Sequence, residues 1–431
     1  MTQTSDIAPT RPLARIGEFL ADRRDLVRGY FAAISGSAGR LVFSLIYFVA
    51  LANALSISDF GLFATASAAG VMLSRIIGFG FISALYRIAT IRPRLIGVFT
   101  GGFLLMMALS LPVLAAASFG TYLLFFSGQL GLPIFATVIA AEALLWRPFE
   151  VAAIVNNGMG KFGRAAILVI LGTLLRAAAA SLFIILPQPS LGAWSAFYLA
   201  ANGAALLVAI IFFYPRQRLR FRPRLYWRRL PDSLYVAGAE MLFYMQMELD
   251  KLLVLAIGGP KLAGVYAIIM RLVDLTAIPI RSFTMMLVQR IMRTPELISS
   301  LRIKGGIEAG VFAVSTLALL GLAIVLHFFP TALGRNIAEA APLVGLVILV
   351  PGLRNLIEYQ AELLFARGQT LIRALNLAAL AAVKAGLLAW VLSLALATGD
   401  LVWSLNGIFL ALYLVSALAT YTALLRPAKA I

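Results

Sequence analysis

Long apolar runs alternate with short polar clusters along the whole chain. A membrane span needs roughly 20 apolar residues, and breaks at polar, glycine or proline clusters divide the sequence into about twelve such runs. They lie near residues 29–54, 60–86, 95–118, 131–157, 163–186, 191–214, 233–257, 262–289, 305–329, 337–366, 369–397 and 401–425. The polar positions inside these runs are spaced in threes and fours, so each set lies on one helix face. Ser37, Arg40, Ser44 and Tyr47 form a stripe in the first run. Glu142 and Glu150 share a face in the fourth, and Glu240, Tyr244 and Lys251 in the seventh. Arg271, Asp274 and Arg281 follow in the eighth, where Arg271 and Asp274 have the i,i+3 spacing of an ion pair. Arg354, Glu358 and Glu362 line the tenth, and Arg75, Arg176 and Lys384 complete the set.

Composition makes this a membrane protein. Of 431 residues, 62% are hydrophobic and 13% charged, and the mean hydropathy is +0.96; a soluble domain of this size needs far more water-compatible surface. Residues 1–28 are too polar for the apolar core of a secretory signal, so the first run is expected to stay in the mature chain, with 13–27 as an amphipathic surface helix. The absence of cysteine excludes disulfides, thiolate catalysis and cysteine-ligated metals.

The net charge of +18 is explained by its distribution. Alternate connections carry Arg87, Arg92 and Arg94; Lys161 and Arg164; the run PRQRLRFRPRLYWRRLP; Arg290, Arg293, Arg302 and Lys304; Arg367 and Arg373; and a tail with Arg426 and Lys429. The intervening connections hold at most one positive residue each, so the basic loops and both termini are expected in the cytoplasm. Nucleic acid is not an expected partner; the basic segment with Tyr226 and Trp227 suits lipid headgroups.

One phrase is written twice. DFGLFATASA opens the second run and LAGVYAIIMR the eighth, with Gly61 and Gly264 about 203 positions apart. At an offset of about 208, Glu150, Gly160-Lys161 and Arg176 align with Glu358, Gly368-Gln369 and Lys384. An even number of runs per half returns the second half to the orientation of the first, which gives parallel repeats. The expected organisation is a cytoplasmic segment at 1–28, six-helix bundles at 29–214 and 232–425, a basic linker at 215–231 and a tail at 426–431. The fold class is all-α integral membrane, two parallel six-helix repeats around a central cavity.

A charge inside a span costs about 2.5–3.5 kcal/mol on the insertion scale, so it belongs in the bundle interior or a water-filled cavity. Arg87, Arg290 and Arg367 read as topology markers or snorkelling side chains, and Arg147 with Glu150 as a local pair. Arg40, Arg75, Arg271 and Arg281 are candidates for a cationic cavity, with Arg176 and Lys384 beside them. The arginine fork suits phosphate, so such a cavity points to an anionic substrate. Asp250, Asp274, Glu142, Glu150, Glu240 and Glu358 are the carboxylates available for ion coupling or for structural pairing.

LSISDFGLFATASA, NNGMGKFGRAA and ELDKLLVLAIGGPKLAGVYAIIMRL, in that order across twelve runs, resemble the polysaccharide flippase branch of the multidrug/oligosaccharidyl-lipid/polysaccharide exporter superfamily, a MATE-like fold. The resemblance implies translocation of a polyprenyl-diphosphate-linked oligosaccharide by alternating access. Membrane lipids and other polysaccharide-assembly proteins are the implied partners. It also implies that Arg40, Arg75 and Arg271 or Arg281 are cavity arginines and that Asp250 holds the recurrent acidic position of the seventh helix. The first run offers Arg40 and no carboxylate, unlike some drug-exporting relatives. The lipid II branch usually carries two further helices.

Other signals carry little. GMGKFG fits a dinucleotide pattern, yet it joins two apolar runs and follows no strand, and no G-x-x-x-x-G-K-[ST] is present. No cofactor is expected, and energy is expected from an ion or substrate gradient. The single histidine, His327, cannot build a histidine cluster, and Met285-Met286 reads as packing. The competing readings are an ion-coupled multidrug exporter and a polytopic glycan polymerase or ligase. The latter is disfavoured because the outer loops are short and poor in acids and bases for general catalysis.

Overall fold

The computed structural model describes residues 39–293 and 301–425, so the N-terminal segment, Ser37 and the tail lie outside the described residues. Every described element is helical. In the N-terminal half these are α1 (Gly39–Ala54), α2 (Ile57–Leu73), α3 (Phe81–Ile91), α4 (Ile96–Phe125), α5 (Leu132–Ala140), α6 (Arg147–Gly158), α7 (Phe162–Phe183) and α8 (Leu191–Val208). The C-terminal half holds α9 (Pro223–Arg293), α10 (Leu301–Phe328), α11 (Arg335–Val344), α12 (Val350–Ala366), α13 (Thr370–Ser393) and α14 (Thr398–Leu424).

Eight helices among the described residues are long and apolar enough to cross a membrane, nine if the bent pair α11 and α12 counts as one span. This is fewer than the twelve expected runs, for identifiable reasons. The expected seventh and eighth runs are two helices joined at a kink at Gly259 (φ 77°, ψ 175°) and labelled together as α9, so they count once. The expected fourth is divided by a π-turn over Ala141–Trp146, and α1 is short in its described part. The expected linker likewise divides, with 215–222 non-helical and 223–231 forming the start of α9.

Breaks in the helices are local and satisfied. α2 passes into α3 through Ile77, Gly78, Phe79 and Gly80, which leave helical geometry; the freed Gly78 N–H donates to Ser110 Oγ on α4 (3.0 Å). Proline cannot donate to an i−4 carbonyl, and Pro148 follows the π-turn at the start of α6. In the second half Pro351 opens α12 after a 66° bend, and Asn406 of α14 satisfies that break at Leu346 O and Leu349 N. The fourth helix of each half is therefore deformed at a corresponding place.

The halves share one apolar core. At the end of the bundle away from the basic loops, Gly61 of α2 and Gly264 of α9 lie against each other: a Cβ on Gly61 would sit 2.4 Å from Gly264 N, and one on Gly264 2.0 Å from Ile57 O. Small residues of this kind let membrane helices approach closely. Beside them Asn53 Nδ2 donates to Leu333 O (2.9 Å), and Asn336 Nδ2 donates to Ala52 O (2.8 Å) and Leu55 O (2.6 Å). At the basic end, the segment before α9 is pinned to α4. Gln217 Nε2 donates to Pro93 O (2.8 Å), its Oε1 accepts from Gly97 N–H (2.9 Å), and the buried Tyr226 hydroxyl donates to Val98 O (2.7 Å).

Candidate functional site

Between the halves lies a cavity of about 340 Å³ bounded by α1, α2, the π-turn, α6, α7, α8 and α9. Its wall begins at the buried Leu51 and Phe60, beside the Gly61–Gly264 contact, and runs along α1 to the exposed Arg40. The polar stripe of α1 faces it through Arg40, Ser44 and Tyr47.

Of the residues expected at the site, Arg40, Arg75, Arg176, Arg271, Glu142, Glu150 and Asp274 line this cavity. Five basic lining residues, these four arginines and Lys251, face four acidic ones, Glu142, Glu150, Glu248 and Asp274. Most are already matched. Arg176 approaches Glu142 (3.4 Å), donates through Nε to Asn202 Oδ1 (2.9 Å), and stacks over Trp146 at 3.6 Å. Glu142 also accepts from Ser67 (2.7 Å) and from the Tyr198 hydroxyl. The π-turn presents both Glu142 and Trp146; such bulges frequently mark functional positions.

Arg75 sits just before the α2–α3 break, 3.2 Å from Glu150 and 3.9 Å from Glu240, with its guanidinium 4.0 Å from the Tyr244 ring centroid. Arg147 bonds the same two carboxylates, at 3.0 Å for Glu150. The expected local pair is therefore one side of a four-member network that joins α2, α6 and α9. Lys251 pairs with Glu248.

The expected Arg271–Asp274 pair is replaced by contacts to other helices. Asp274 is ion-paired with Arg354 of α12 (2.9 Å), which also lies 3.9 Å from Glu358, and Arg271 donates to the Ser44 hydroxyl of α1. Helical spacing allows the local pair, but a closer cation on α12 takes the carboxylate. Among the described residues Arg271 makes no ion pair. Arg281 falls outside the residues whose side chains are described.

Lys384 and Asp250 are not part of the cavity wall. They form a separate buried pair at 2.9 Å, with 5% and 1% of their surfaces exposed. Tyr266 donates to the same carboxylate (2.5 Å) and Lys384 to Gln246 O (3.0 Å). Glu240 and Glu358 are likewise absent from the lining; Glu240 bonds Arg147, and Glu358 lies 3.9 Å from Arg354. Sequence reasoning does not assign Arg354, Glu248 or Trp146 to the site. Arg354 is visible on its helix face, but its partner lies 80 positions earlier.

No family model matches the sequence, and no curated protein matches it. Solved structures do. An inward-facing conformation of a multidrug resistance MATE family transporter of the MOP superfamily superposes with a TM-score of 0.65 at 14% identity, covering 90% of this chain and 94% of that one. An outward-facing conformation of such a transporter gives 0.64 at 14%, covering 92% and 96%. A MOP superfamily transporter from Pyrococcus furiosus gives 0.61 at 14%, covering 93% of each. Over nearly its whole described length, the chain has the fold of the MATE transporters of the MOP superfamily.

Proposed function

We propose that this chain is a membrane transporter that carries a polyprenyl-diphosphate-linked oligosaccharide across the cytoplasmic membrane by alternating access. The observation that carries the reading is Arg271: a cavity guanidinium bonded to a hydroxyl, while the other lining carboxylates have their own basic partners. Arg40 adds a second basic group along the same wall. A diphosphate supplies the bidentate anion that such groups recognise, and Trp146, Tyr198 and Tyr244 add aromatic rings to the wall, each with an arginine over one face.

The neighbours of this fold include both inward- and outward-facing conformations, which supports alternating access. With the basic loops in the cytoplasm, the closed Gly61–Gly264 end is the outer one. In the Pyrococcus furiosus transporter, a binding pocket of reverse polarity suggests a different function for that protein, a precedent for reading substrate charge from the cavity of this fold.

Export of cationic drugs is the second reading, favoured by Glu142 and Glu150 in the wall. Both are matched by arginine, which leaves little uncompensated negative charge for a cation. The test is leaflet exposure of a fluorescent polyprenyl-diphosphate oligosaccharide in liposomes, with wild type and Arg271→Ala. Translocation by wild type, lost in the variant, supports the proposal. Uptake of a cationic dye under a pH gradient, with no glycan translocation, sinks it.

A further inference from the structure

Just beyond the apolar helix that ends at Phe213, residues 215–222 leave helical geometry before the chain enters α9 at Pro223. Arg216, Arg218, Arg220 and Arg222 take alternate positions of this stretch, and Arg224, Arg228 and Arg229 follow in the first two turns of α9; all seven are exposed. Among the described residues a single ion pair touches them, Arg229 to Asp232 at 3.8 Å, on the open surface. The connection of α6 to α7 marks the same side with only Lys161 and Arg164, so topology leaves most of this charge unexplained.

The stretch is held in place. Its backbone lies on α4, where a Cβ on Gly97 would sit 2.4 Å from Arg218 O and one on Gly101 3.2 Å from Arg220 O. Gln217 bonds Pro93 O and Gly97 N–H, which brings the exposed Arg92 and Arg94 beside it. The Tyr226 hydroxyl lies between Val98 O (2.7 Å) and Arg220 O (2.9 Å). This ring, expected at lipid headgroups, is therefore turned inward and fixes the loop, while the guanidinium groups stay in the open.

Apolar side chains are interleaved with the arginines. Leu219, Phe221 and Trp227 are 49%, 59% and 56% exposed. Arg216 is three residues past the apolar helix, about 11 Å of chain at most, and the headgroup layer is about 5–7 Å deep on each side. The row of arginines therefore starts at the membrane surface. α9 also opens with no acidic residue in its first turn; cations there oppose the helix dipole, whereas an anion is favoured.

We infer that the arginines of residues 216–229, with Arg92 and Arg94, form a preformed binding surface for anionic phospholipid headgroups. Phosphodiesters supply the counter-charge that the guanidinium groups lack, and Leu219, Phe221 and Trp227 enter the acyl boundary beside them. An acidic protein or a nucleic acid would answer the charge and leave these apolar side chains in water. None of these residues lines the central cavity, and the inference is independent of the transported substrate.

The test titrates the purified full chain, in a neutral detergent, with dioleoyl phosphatidylglycerol or dioleoyl phosphatidylcholine and counts bound lipid by native mass spectrometry. Wild type is expected to hold phosphatidylglycerol about tenfold or more tightly than phosphatidylcholine. With Arg216, Arg218, Arg220 and Arg222 all changed to Gln, that preference should be lost, since each basic group near an anionic surface contributes about fivefold. Lys161→Gln with Arg164→Gln is the control and should leave it nearly unchanged. Equal binding of the two lipids by wild type, an unchanged preference in the quadruple variant, or an equal loss in the control overturns the inference. If the quadruple variant does not fold, Arg218→Gln with Arg220→Gln keeps five of the seven arginines to hold topology, and an unchanged preference in that pair overturns it. Displacement of the lipid by equimolar inorganic phosphate, or by a short oligonucleotide, also overturns it, because the surface then reads phosphate without the lipid. These readouts involve no transport, so their failure is separable from failure of the transport proposal.

Discussion

Gly61 and Gly264, the equivalent glycines of the repeated phrase, are packed on each other in the structure. Each half contributes the first turns of a helix to this contact, and neither backbone leaves room for a side chain. Gly61→Ala and Gly264→Ala are each expected to cost about 1–3 kcal/mol by overpacking, read as a lower thermal midpoint. Gly386→Ala is the control, since a Cβ there meets nothing within 4 Å.

Arg271 and Arg147 should separate binding from stability. Arg271→Gln removes a guanidinium whose partner is a hydroxyl, so we expect weaker binding of a diphosphate-bearing lipid with the thermal midpoint nearly unchanged. Arg147→Gln strips a cation from Glu150 and Glu240, which are 29% and 36% exposed. Solvent and Arg75 screen part of that loss, so about 1–2 kcal/mol of destabilisation is expected. Equal midpoints for the two variants would contradict this assignment.

For the buried Asp250–Lys384 pair, Lys384→Met leaves a carboxylate that is 1% exposed without its cation, and about 3–5 kcal/mol should be lost. Asp250→Asn introduced into that variant should recover a large part. A double-mutant cycle measures the coupling, and an additive result would show that the two side chains act independently.

Asn53 and Asn336 tie the end of α1 to Leu333 and the first turn of α11 through three bonds to backbone carbonyls. Asn336→Ala should loosen this end. The chain has no native cysteine, so Leu51→Cys, at the closed end of the cavity, can report it. Labelling by a membrane-impermeant thiol reagent from that side should rise several-fold in the Asn336→Ala background. An unchanged rate would place the seal elsewhere, in the glycine contact.

The all-helical membrane class, the repeated phrase and the polar stripe of α1 are legible in the sequence, because apolar run length and three-and-four spacing are properties of one helix at a time. Ion-pair partners are less so. Arg147 finds Glu240, 93 positions away, and Asp274 prefers Arg354 to its own neighbour, choices made by helix packing. Glu308 does not stand out in sequence, because a lone charge near a helix start looks like an interfacial residue. The tyrosines that bond it lie 105 and 113 positions later. Repeat alignment groups Lys384 with the cavity cations, yet the helices of the second half enclose it with Asp250.

The segment before α9 is fastened to α4 by Gln217 and Tyr226, and further along α9 Ser233 and Ala237 lie close against Gly80, where a Cβ would sit 2.1 Å from Ser233 O. The connection therefore works as an anchor and not as a tether. An engineered disulfide between positions 93 and 217 should leave transport intact. If the halves rock, the first turns of α9 travel with the N-terminal half, and the mechanical seam of the molecule falls inside a helix, near Gly238, where a Cβ would meet no neighbour.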